Sequence, residues 1–97
     1  MQDEGDETWG TYLVEHYGPG SSAETLRNAV RDVRRTTAEM TKQGQSVRYV
    51  RATIIPGDEA FMATFEATSE TLVREAYVQA GVPLERISPA IEPEGRR

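Results

Sequence analysis

The sequence predicts an α+β fold of order β-α-β-β-α-β. Three observations carry this reading: two segments with helical apolar spacing, strand-like runs around them, and Gly or Pro at the joins. Residues 11–17 read as the first strand, passing through Tyr12-Leu13-Val14 to Glu15 and His16 before "GPG" breaks it. Ser21 and Glu24 stand at capping-box spacing. Leu26, Ala29, Val30, Val33, Thr37 and Met40 then recur at helical intervals, and Gly44 is placed to stop the helix. Residues 46–55, "SVRYVRATII", are rich in β-branched and aromatic types and read as a second strand. Residues 56–59 form a turn, and "AFMATFEA" is the third strand. A second helix starts at Thr68 or Ser69, buries Leu72, Val73, Ala76 and Tyr77, and ends at Gly81 and Pro83. "LERISPAIE" reads as a fourth strand whose Pro89 suits a sheet edge.

This order is the split βαβ, or ferredoxin-like, pattern: a four-stranded antiparallel sheet with two helices on one face. Residues 1–9 read as a disordered acidic lead-in, residues 10–92 as the single domain and residues 93–97 as a loose tail. At 97 residues the chain can bury one modest core, and 37% hydrophobic with 28% charged residues is a globular composition. The absence of cysteine excludes disulfides, thiolate metal sites and thiol catalysis. The net charge is −5, of which Asp3, Glu4, Asp6 and Glu7 supply four. An acidic chain argues against nucleic acid as a partner. No segment has the length of a membrane span or the pattern of a signal peptide, so a cytoplasmic location without membrane association is the expectation.

Strand alternation assigns faces. Phe61, Ala63 and Phe65 are the apolar set of the third strand, and Val50, Ala52 and Ile54 that of the second. With Ile55 opposite Ala60, the register pairs Thr53 with Met62, Arg51 with Thr64 and Tyr49 with Glu66. Placing Tyr12 and Val14 in the core sends Leu13 and Glu15 to the other face and leaves His16 on the helix side. The face away from the helices then combines apolar groups with two carboxylates and an arginine. One reading is a solvated face with an Arg–Glu cross-strand pair. The sharper one is a homodimer in which a second subunit covers this face. Glu15, Tyr49, Arg51, Thr64 and Glu66 would then line an enclosed ligand-binding cavity.

"VEHYGPG", "VRYVRATIIPGDE" and "FEATSETLVREAYVQAGVPLERI" resemble a small bacterial domain family, largely of unknown function, with one branch described as nickel-binding. The resemblance covers about residues 11–91 and rests on Glu15, Arg48-Tyr49 and Phe65-Glu66-Ala67. It implies a ferredoxin-like fold, pairing into a dimeric α+β barrel, and a divalent metal such as nickel as cofactor. A nickel site draws on imidazole and carboxylate ligands, whereas this chain has one histidine. His16 with Glu15, or with a symmetry-related histidine, is the candidate metal pair. His16 also suits a general base, and the plainer alternative is an exposed residue hydrogen-bonding the loop at 18–20.

Two functions are therefore expected. The first is a homodimeric binding protein holding a metal ion or small polar ligand between its sheets. The second is a small cofactor-free enzyme (a monooxygenase, isomerase or cyclase) acting on a small organic molecule, by analogy of fold alone. "GPGSS" lacks a P-loop lysine, and the arginines at 27, 31, 34 and 35 read as a solvated helix face.

Overall fold

Serine caps set where both helices begin. Ser22 is the N-cap of helix α1 (Ala23–Lys42), its Oγ accepting from the Thr25 N–H at 3.1 Å. Ser69 caps helix α2 (Glu70–Ala80) by accepting from the Leu72 N–H. The cap of α1 thus falls one residue after the expected Ser21, whose own N–H is already engaged by the Gly18 carbonyl at 2.8 Å. Past the other end of α1, Gly44 takes the left-handed conformation expected of a helix stop, φ 89°. The structure is a computed structural model and describes residues 8–94. The acidic residues of the lead-in, Asp3 to Glu7, and the tail residues 95–97 lie outside the described residues.

Strands β1 (Gly10–Tyr17), β2 (Val47–Ile55), β3 (Ala60–Ala67) and β4 (Arg86–Ala90) form one sheet in the order β2-β3-β1-β4, every pair antiparallel. This is the ferredoxin-like arrangement. A 3-10 turn at Pro56–Asp58 joins β2 to β3. β4 is short, carries Pro89 and pairs only with β1, as an edge strand can.

The core lies between the sheet and the helices. Val14, Val47, Phe61, Ala63 and Phe65 meet Leu26, Val33, Thr37 and Met40 of α1 and Val73, Ala76 and Tyr77 of α2. Ala29, Val30 and Leu72, expected in the core, pack at its margin. Thr37 is tolerated inside because its hydroxyl donates to the Val33 carbonyl at 2.7 Å.

One register expectation is overturned. Ile55, Thr53 and Arg51 pair as expected with Ala60, Met62 and Thr64, but a β-bulge intervenes between Arg51 and Tyr49. Val50 is the extra residue. Tyr49 consequently lies opposite Phe65 on the helix side, and Arg48 takes the place opposite Glu66. The physical reason is side-chain type. The bulge lets Val47 and Tyr49 both reach the core while Arg48 and Arg51 both stay outside, which strict alternation over these residues cannot do. Val50, expected in the core, is half-buried and outside it.

Candidate functional site

The sheet face turned away from the helices is built in rows, because opposed residues of antiparallel strands share a face. One row runs Arg48, Glu66, Thr11, Ala90; the next runs Arg51, Thr64, Leu13, Ser88; the third runs Thr53, Met62, Glu15, Arg86. Ile55, Ala60 and Tyr17 close the end. Of the residues expected to line a site, Glu15, Arg51, Thr64 and Glu66 stand on this face and Tyr49 does not. Tyr49 packs edge-on to Phe65 at 5.8 Å between ring centres, at the margin of the core on the helix side.

Each of the inner carboxylates of the face has a guanidinium beside it. Glu66 accepts from Arg48 at 3.0 Å, and Arg48 also lies over the Trp9 ring at 4.7 Å. Glu15 sits 3.5 Å from Arg86 and accepts from the Tyr17 hydroxyl at 3.2 Å. Arg51 pairs with Glu92. Glu92 lies two residues beyond β4, whereas Arg51 is on the opposite edge strand, so the chain after β4 turns across this face. Such half-exposed pairs contribute only ~0.2–1 kcal/mol each, but they neutralise the face.

The pairing also separates the carboxylates. Glu15 and Glu66 stand two rows apart, about 13 Å at the rise of a strand. Among the described residues no group of three or more His, Asp or Glu side chains is placed to hold a metal ion. Glu15 and His16 leave β1 on opposite faces, so they do not form a chelate within one protomer. The donors among the described residues therefore do not fit a nickel ion within one protomer.

His16 is placed on the helix side, as alternation requires, but it is not exposed and does not bond the 18–20 loop. It is 8% exposed, stacks on Phe61 at 4.8 Å, and its Nδ1 lies 2.6 Å from the Pro83 carbonyl. A carbonyl only accepts, so Nδ1 carries the proton and donates. The burial comes from the α2–β4 connection, which sequence spacing does not reveal.

Arg48, Arg86 and Glu92 were not expected at the site. Arg86 was legible in principle from the β1–β4 register. Arg48 was hidden by the bulge, and Glu92 by a non-local turn. Among the described residues no helix is long and apolar enough to cross a membrane.

Comparison with known proteins supplies a family. The profile described as "Nickel responsive protein SCO4226-like" matches residues 12–89. Among solved structures, that of SCO4226 from Streptomyces coelicolor A3(2) superposes with a TM-score of 0.65 at 17% identity, covering 82% of this chain and 94% of that one. At that identity the likeness shows the fold. No curated protein matches the chain.

Proposed function

The chain belongs to the SCO4226-like family of nickel responsive proteins, and from that premise we propose that it is a small homodimeric binding protein. A second copy covers the open sheet face, and the space between the sheets, lined by Glu15, Arg51, Thr64 and Glu66, holds a small polar ligand. One observation carries the reading: the face is apolar at Leu13, Met62 and Ile55, while Glu15, Glu66 and Arg51 each have an opposite charge at hand. Burying an unpaired charge would cost several kcal/mol, and these charges are paired. An enzyme of this architecture would need an isolated acid or base in an apolar pocket. The arginines beside Glu15 and Glu66 favour binding over catalysis.

The family description favours a second reading in which nickel is the ligand. The described residues of one protomer do not supply a fitting donor set, so the ion would draw carboxylates from both copies across the interface.

Native mass spectrometry of the untagged full chain tests the dimer and any retained ligand together. We expect a dimer that Leu13→Arg converts to a folded monomer, since a second arginine-bearing face cannot be covered without burying unpaired charge. A parent protein that is monomeric at micromolar concentration would overturn the covered-face reading.

A further inference from the structure

On the helix side of the sheet, at the end that Tyr17 closes, a cleft of about 500 Å³ opens between the first turns of α1 and the C-terminal end of α2. His16 forms its floor. The ring is more than nine-tenths buried, fixed by its stack on Phe61 and by the Nδ1 proton donated to Pro83. That bond decides the tautomer: Nε2 carries the lone pair of the neutral ring, and among the described residues no side chain or backbone group hydrogen-bonds to it. Nε2 faces Gly18. A Cβ at Gly18 would stand 3.2 Å from Nε2 and 2.6 Å from the Ser21 Oγ, so the glycine leaves the nitrogen approachable.

The charges around the cleft select the ligand's sign. Asp32 lies on its wall; Oδ1 accepts from Arg35 at 2.9 Å, and Oδ2 remains as an acceptor. Ala80 and Gly81 bring the negative end of the α2 dipole to the cleft, and α2 has no basic residue in its last turn. At the start of α1 the Ser22 hydroxyl takes the Thr25 N–H, and just before the helix the Glu59 carboxylate takes the Gly20 N–H. At the mouth, the Tyr17 hydroxyl is raised above its ordinary value by its hydrogen bond to Glu15 and by the charges of Glu15, Asp58 and Glu85.

We propose that this cleft binds a small ammonium-bearing molecule, its charged nitrogen donating to His16 Nε2 and its apolar body lying against Ala29, Ala80 and Val82. The Nε2 acceptor at the floor, the Asp32 carboxylate on the wall and a helix end that carries no basic residue are complementary to an amine and disfavour a carboxylate. The site exists in each protomer and does not depend on the sheet face being covered.

The test is an NMR titration of the ¹⁵N-labelled full chain with phenethylammonium and, separately, with its anionic counterpart 3-phenylpropionate. The cation should shift the His16 Nε2 resonance and the amides of Gly18, Ser21 and Asn28, saturating at millimolar concentration, while the anion should not. Gly18→Ala adds a methyl in front of Nε2, at a residue whose backbone conformation accepts alanine and against a Ser21 hydroxyl that can rotate away. It should weaken the cation about tenfold while the amide spectrum stays folded. Asp32→Asn, on the cleft wall, should weaken it roughly threefold. No binding, equal binding of both probes, preference for the anion, or a cation affinity unchanged by Gly18→Ala would each overturn the assignment.

Discussion

Tyr77 is fully buried on α2, packs edge-on to Phe65 at 5.7 Å, and has a hydroxyl with no hydrogen-bond partner among the described residues. A buried hydroxyl left this way costs ~1–3 kcal/mol relative to its hydrated state. Tyr77→Phe should therefore raise stability by about 1 kcal/mol at neutral pH, read as a Tm increase of a few degrees. A fall in Tm would mean that the hydroxyl has a partner. Burial, and secondarily Tyr49, pushes the phenol well above its ordinary value of 10.0. The folded chain thus holds the neutral form. Its contribution to stability is full below pH ~10 and is lost as the pH rises further, because the unfolded chain ionises first. The Tm gap between Tyr77→Phe and the parent protein should widen above that pH, and a constant gap in an alkaline melting series would contradict the assignment. The neighbours Glu15 and His16 make the same point about environment. One residue apart in sequence, they face opposite sides of the sheet, one beside Arg86 and one buried on Phe61.

At the scale of elements, the bulge at Val50 organises the site. It turns Tyr49 inward onto Phe65 and Arg48 outward onto Glu66 and Trp9. Deleting Val50 would remove the bulge and leave every other pair in register, with Tyr49 still inward on Phe65 and Arg48 and Arg51 still outward. The deletion should therefore cost less than ~3 kcal/mol, seen as a small change in the denaturation midpoint, since no charge enters the core. A larger loss would show that the bulge itself holds the strand in place. The hairpin turn adds a further tie. Glu59 sits at φ 53°, accepts from the Gly18 N–H at 2.8 Å and, through its carboxylate, from Gly20. A non-glycine residue in that conformation persists where surrounding bonds hold it.

Across the whole molecule, the open face and the chain crossing it set what a second copy would meet. Glu92 reaches Arg51 from beyond β4, so the segment after β4 borders the face and would border the interface too. Because Glu15 and Glu66 stand apart and His16 is on the other side of the sheet, nickel retention should depend on assembly. The monomeric Leu13→Arg protein, passed through gel filtration after nickel loading, should retain none. Retention by that monomer would place a nickel chelate within one protomer, contrary to the donor arrangement described here.

The order of elements, the faces of β1, β3 and residues 51–55 of β2, and most core positions of the helices were legible in the sequence, because periodicity and turn residues are local signals. So was the opening of the β2–β3 register, through the pairing of Ile55 with Ala60. The bulge, the partner of Glu92 and the burial of His16 beneath Pro83 were settled only by tertiary structure. A bulge breaks the periodicity from which a register is inferred, and the other two join residues far apart in the chain. Contacts of that kind arise from how the elements pack, and no local spacing encodes them.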